Sequence, residues 1–181
     1  MIITICGDLG SGKSTVTKLL ASKLKFTRKS VGDFMGELAI KRGISLIEIS
    51  KDAEIDGGKI DKILDEEQRK LNTSKENIIF DSRLGWHFIR NSFKVYLKVD
   101  IDVAAKRIFN DKRVDEKENV SLEETKKNMI LRKKSEMERY KKYYEIQKYD
   151  DPKNFDLIID TTNISPEEVV NKIIKEINKN K

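Results

Sequence analysis

The stretch "CGDLGSGKST" at residues 6–15 holds the residue types best suited to phosphate chemistry. Gly7, Gly12, Lys13 and Ser14 fill the G-x-x-x-x-G-K-[ST] pattern of a phosphate loop. In such a loop successive main-chain amides point inward onto phosphate oxygens, and glycines serve where the chain turns sharply or must approach the anion. Gly7, Gly10 and Gly12 meet that need. Lys13 is expected to reach the β and γ phosphates of ATP as a point charge, and the Ser14 hydroxyl to ligate Mg²⁺. Thr15 would follow in the first turn of a helix, near the α phosphate and at the helix's positive end.

Other candidates lie far along the chain. Asp81 in "IIFDSRLGW" follows an apolar run, at the carboxyl edge where ligands gather in open α/β sheets, and suits Mg²⁺ directly or through water. The same position also suits a simple turn former. Arg83 projects toward that rim, where a planar guanidinium fits an acceptor phosphate or a surface ion pair. Trp86 reads either as the wall of a base pocket or as core, and His87 as structural. In "LRKKSEMERYKKYY" Arg132 and Arg139 stand two helical turns apart on one face. With Lys133, Lys142 and Arg107 nearby in sequence, that stretch reads as a hinged lid able to lay guanidinium groups on a transferring phosphoryl group. The alternative is a solvated helix laced by Arg132–Glu136 and Glu136–Arg139 pairs.

These residues need elements to hold them. Apolar runs recur at 2–6, 28–31, 78–80, 94–99 and 156–160, the second being the weakest, with helix-length segments between them. Strands alternating with helices argue for an α/β fold, a five-stranded parallel sheet with helices on both faces. Ser165 is placed to cap a final helix whose first turn carries Pro166 and Glu168 and whose apolar stripe is Val169, Val170, Ile173, Ile174 and Ile177. Two connections exceed what a crossover needs. Residues 32–76 read as two or three short helices punctuated by Gly43 and Gly57–Gly58. Residues 111–149 read as a polar turn and then a charged helix opening at the capping box of Ser121 and Glu124.

The chain has 181 residues, which suits one domain over 1–181 with 32–76 and 111–149 as insertions. A net charge of +6 is laid over dense mixed charge without a basic stripe, so solvated helix faces explain it better than nucleic acid does. Cys6 is the sole cysteine, which excludes an intrachain disulfide and suits a reducing cytosol, where its bland reading is a small buried residue. No secretory signal and no run near the roughly 18 apolar residues of a membrane span is present. A cytoplasmic monomer acting on small molecules, away from membranes and nucleic acid, is expected.

Taken together, "GDLGSGKST", "SVGDFMGELA", "KRGISLIEI", "DSRLGW" and the Arg132 to Arg139 stretch followed by "YKKYY" resemble the nucleoside monophosphate kinases of the P-loop superfamily. The closest resemblance is to the short archaeal-type cytidylate kinases, across nearly the whole chain. The resemblance implies a P-loop kinase fold with acceptor-binding and lid insertions, and transfer of the ATP γ-phosphoryl group to CMP or dCMP. It implies that Gly7, Asp8, Leu9, Gly10, Ser11, Gly12, Lys13, Ser14 and Thr15 hold ATP together with Arg107. Ser30 and Asp33 would hold the acceptor nucleoside, Arg83 its phosphate or base, and Arg132 and Arg139 the phosphates in transit. One departure stands out: related kinases usually place an arginine three residues beyond the Asp of "GD", and here that position is Gly36, which leaves Lys41 or Arg42 as substitutes. Another small acceptor, a nucleotide-binding switch and a nucleic-acid-binding protein remain rival readings.

Overall fold

A strand buried on both faces needs a continuous apolar run, and Ile2–Gly7 forms such a strand, β1, buried at every residue. In the computed structural model, which describes residues 1–44, 48, 49, 52, 56–111 and 121–179, β1 lies at the centre of a five-stranded sheet. The others are β2 (Thr27–Ser30), β3 (Ile78–Asp81), β4 (Phe93–Lys98) and β5 (Leu157–Asp160). Their order is β2-β3-β1-β4-β5 with every pairing parallel. The weak second run is thus a true strand at the sheet edge, where burial on both faces is not demanded. Ile5 stands beside Asp81 of β3 and Gly7 beside Leu97 of β4, so the loop after β1 and the acid after β3 share one rim.

Seven helices are described: α1 (Lys13–Leu24), α2 (Val31–Arg42), α3 (Lys59–Lys70), the single turn α4 (Gly85–Phe88), α5 (Ile101–Asp111), α6 (Leu122–Tyr144) and α7 (Pro166–Lys179). Alternation along the strands sends Ile3, Ile5, Ile79, Val95 and Leu97 to one face, where they meet Val16 and Leu20 of α1 and Val170 and Ile173 of α7. On the other face Ile78 and Phe80 pack with Leu71 and Ile89, while Cys6 and Tyr96 pack with Phe88, Tyr140 and Tyr149. Each such fully buried side chain contributes about 1.5–3 kcal/mol relative to exposure.

The two expected caps are formed. Ser121 Oγ accepts from Glu124 N at 3.1 Å, and Ser165 and Glu168 exchange bonds in both directions at 2.8 and 3.2 Å. Within residues 32–76, α2 ends at Gly43 and α3 begins at Gly58, both with positive φ. Residues 45–47 of the "RGISLIEI" segment, residues 50, 51 and 53–55, and the polar turn at 112–120 lie outside the described residues. Among the described residues no helix is long and apolar enough to cross a membrane.

Candidate active site

The loop between β1 and α1 is shaped by two close approaches. A Cβ on Gly7 would stand 2.2 Å from Leu97 O, and one on Gly10 would stand 2.9 Å from the Cα and Cβ of Ala104. Only hydrogen fits there. Gly12, at φ 83°, starts α1 with no side-chain cap, so the first-turn amides are left for an outside acceptor. Lys13 folds back over the loop, its Nζ donating to Gly7 O at 3.0 Å and Asp8 O at 2.8 Å. Burial and the neighbouring Arg83 guanidinium push its ammonium down from 10.5 to about 8. Ser14 Oγ donates to Asp81 Oδ2 at 3.3 Å, uniting the two expected metal ligands.

On the α2–α3–α6 side of the loop lies a cleft of about 380 Å³. Lys13, Asp81 and Arg83 form its floor, Val31, Gly32, Asp61 and Asp65 line it from α2 and α3, and Arg132, Glu136 and Arg139 line it from α6. The three arginines named from sequence therefore meet in one place. Two of them share a carboxylate that sequence reasoning treated only as a helix-surface partner: Glu136 Oε1 sits 3.1 Å from Arg83 Nε and 3.3 Å from Arg132 Nε. Glu136 is buried, and neither its Oε2 nor Arg83 Nη1 has a hydrogen-bond partner among the described residues. Arg139 Nη1 lies 4.0 Å from Asp61 Oδ2.

Arg83 thus forms an ion pair, though a largely buried one rather than the surface pair weighed as its alternative, and Arg132 forms the pair that the solvated-helix reading required while also facing the cleft. The other cations gathered into the lid reading do not reach this cleft. Lys133 Nζ is held by Asp150 Oδ2 at 3.0 Å and Asp8 Oδ1 at 3.4 Å, and Lys142 is exposed over the Tyr143 ring. Lys133 is one position, about 100°, round the helix from Arg132, which accounts for its different neighbours.

Arg107 belongs to a second pocket, about 520 Å³, across the loop. Gly10, Ser11, Gly12, Thr15, Thr161 and Pro166 line it as well. Arg107 donates to Gly10 O at 3.4 Å, Thr161 O at 2.8 Å and Thr162 O at 3.3 Å, tying α5 to the loop and to the end of β5. Asp8 turns its side chain toward β4, accepting from Tyr96 OH at 2.9 Å and Val99 N at 3.3 Å, and Ser11 Oγ donates to Asp8 O at 2.8 Å. Leu9 packs beside Ala104 and Met129.

Ser30 and Asp33 do not line the cleft, although Val31 and Gly32 between them do. Ser30 Oγ instead caps α2 by accepting from Asp33 N at 3.0 Å, and Asp33 pairs with Arg28 at 3.3 Å. Arg28, which sequence reasoning passed over, also stands 3.8 Å from Asp81. Space is open around Gly36, and Lys41 and Arg42 are exposed near the end of α2. Trp86 is not in the cleft. It is partly buried and packs edge-on against Phe155, with His87 in the same aromatic group and held below its ordinary pKa by burial. Cys6 is fully buried and its thiol is pushed up to about 12, an inert side chain.

A phosphate loop on the central strand of a 2-3-1-4-5 parallel sheet, with arginines from two other segments on the same rim, defines the P-loop kinase fold. A shikimate kinase from Bacteroides thetaiotaomicron shares that fold at a TM-score of 0.69, with 17% identity and 98% of each chain covered. The profile of the cytidylate kinase-like family matches residues 2–163, and the chain belongs to that family. A cytidylate kinase of Sulfurisphaera tokodaii is 37% identical over 97% of this chain and 93% of its own. One of Sulfolobus acidocaldarius is 36% identical over 99% and 95%.

Proposed function

We propose that the protein transfers the γ-phosphoryl group of ATP to CMP or dCMP, giving ADP and CDP or dCDP. The observation that carries this reading is the meeting of Lys13 with Arg83, Arg132 and Arg139 along one cleft beside the phosphate loop, in a member of the cytidylate kinase-like family. The triphosphate lies on the loop amides of residues 7–15 with its nucleoside toward the Arg107 pocket, and the acceptor enters the cleft between α3 and α6.

An acceptor phosphate oxygen is already anionic, so no strong general base is needed. It bonds to the γ phosphorus as the bond to the β,γ-bridging oxygen breaks, and the electron pair leaves with ADP. Lys13 and the three arginines hold the two phosphates in line and neutralise charge that spreads during transfer. Arg83 and Arg132 exchange part of their hold on Glu136 for phosphate oxygens, and the unpartnered Arg83 Nη1 finds an acceptor.

Among the described residues no group of three His, Cys, Asp or Glu side chains is placed to hold a metal ion. Ser14 and Asp81, 3.3 Å apart at the loop, suit Mg²⁺, which takes one or two protein oxygens and completes its shell with phosphate and water. Bound there, the ion would neutralise charge on the β and γ phosphates. A kinase of this kind is expected in the cytoplasm as a monomer.

The test is ADP release with ATP, Mg²⁺ and each nucleoside monophosphate or shikimate in turn. CMP or dCMP is expected to give the highest kcat/KM. Faster turnover of another acceptor would replace the assignment, and turnover unaffected by Arg132→Ala would favour a nucleotide switch instead.

A further inference from the structure

Beyond the phosphate rim, the cleft ends in polar groups that no phosphate needs. Asp65 and Gln68 are buried on one face of α3, and α6 brings Tyr144 against them. Tyr144 OH donates to Asp65 Oδ2 at 2.8 Å. Ser82 Oγ accepts from Leu84 N at 3.3 Å, which leaves its hydroxyl proton for Gln68 Oε1 at 2.8 Å. The Ser82 bond turns the Gln68 side chain, while the Tyr144 bond ties α6 to α3. With its carbonyl oxygen engaged, Gln68 presents the Nε2 amide, and that amide reaches Asp65 Oδ1 only at 3.5 Å. No shorter hydrogen bond reaches Asp65 Oδ1 among the described residues. One carboxylate oxygen and one amide N–H therefore stand side by side in a cleft that Phe88 and Tyr140 also line.

We propose that Asp65 and Gln68 read the base of the acceptor, a step that rests on the kinase reading above. The carboxylate accepts from the exocyclic amine of cytosine while the Gln68 amide donates to the adjacent ring nitrogen. Uracil reverses both groups: its C4 carbonyl would face a carboxylate and its ring N–H would face an amide donor. A buried site built for one polarity rejects the other strongly, because its own polar groups are left unpaired. The adenine edge has the same polarity as cytosine, so the pair separates amino from keto bases, and the narrow space between α3 and α6 is left to select ring size. A structural tie between the two helices would explain the Tyr144 bond alone, but it would not need the second carboxylate oxygen or the Ser82 bond that turns Gln68.

The test compares kcat/KM for CMP and UMP in the unmodified protein and three variants, with melting temperatures recorded throughout. Asp65→Asn is expected to lower the CMP-to-UMP ratio roughly tenfold to a hundredfold. Gln68→Met, which keeps the volume and removes the amide, lowers it in the same direction and serves if Asp65→Asn does not fold. Tyr144→Phe removes the tie between helices but keeps the carboxylate, so its ratio stays within about twofold of the original while its melting temperature falls. An unchanged ratio in Asp65→Asn or Gln68→Met, or an equal fall in Tyr144→Phe, overturns the inference. Absence of CMP turnover in the unmodified protein overturns the kinase reading beneath it, a different result that the same assay distinguishes.

Discussion

The pockets on the two sides of the phosphate loop are built from different materials. The Arg107 pocket is lined mainly by glycines, small hydroxyl residues and apolar side chains such as Val16, Ile108 and Ile164, with one guanidinium buttressing the loop. The opposite cleft is crowded with full charges, on the long side chains of Lys13, Arg83, Arg132, Glu136 and Arg139 and on the aspartates of α3. Backbone and small residues make a seat whose shape is set by the sheet itself. Long charged side chains make a surface that rearranges when anions compete for them. Under the proposed kinase reading, the contrast suits the first pocket to grip and the second to chemistry.

Lys13 stands where the two meet, and its loss should break both. Lys13→Ala is expected to lower kcat by about 10³-fold or more with little change in melting temperature; ADP formation near the original rate would refute the assignment. Arg132→Ala should act on the charged side only, cutting kcat about 10²- to 10³-fold while the KM for ATP moves little. Arg107→Ala should do the reverse, raising the KM for ATP about tenfold with a smaller effect on kcat. If steady-state kinetics gave these two variants the same signature, the division between the pockets would collapse.

Smaller effects sharpen the picture. Glu136→Gln leaves Arg83 buried without its anion, which should cost about 1–3 kcal/mol of stability in urea unfolding. The deficit should narrow when ATP and CMP are present, because their phosphates replace the lost charge; a deficit that ignores nucleotides would place Glu136 outside the phosphate chemistry. The smallest effect is a proton. Lys13 titrates near 8 in the folded protein against 10.5 when unfolded, so the unfolded chain binds more protons between those values and this group's contribution to stability rises with pH across that window. Phosphate beside Lys13 favours the ammonium, so ATP binding should take up a fraction of a proton near pH 8 and weaken as pH rises further. Calorimetry in two buffers of different ionisation heat measures that uptake, and Lys13→Met should remove it.

Features carried by local spacing were legible in the sequence. The loop from Gly7 to Ser14, the caps at Ser121 and Ser165, the apolar face of α7 and the strand ending at Asp81 each declare themselves within a few residues. The edge strand β2 was the weakest reading because Thr27, Arg28, Lys29 and Ser30 make no apolar run, only Ser30 being buried. What stayed hidden depends on segments far apart in the chain. Asp65 and Tyr144 meet across 79 residues, and Ser82 turns Gln68 from 14 residues away. Glu136 read as a surface partner of Arg132 because helix spacing cannot reveal that Arg83, arriving from the end of β3, buries it. Likewise Lys133 and Arg132 are adjacent in sequence, yet helix rotation sends them to different neighbours.

Helix α1 begins at Gly12 with no side-chain cap among the described residues. A nucleotide phosphate bound there, as the kinase reading has it, would complete that first turn and join scaffold and fuel in one thermodynamic unit. A melting curve then doubles as a gauge of loading: each tenfold rise in free nucleotide above its dissociation constant should add about 1.4 kcal/mol to the folded state.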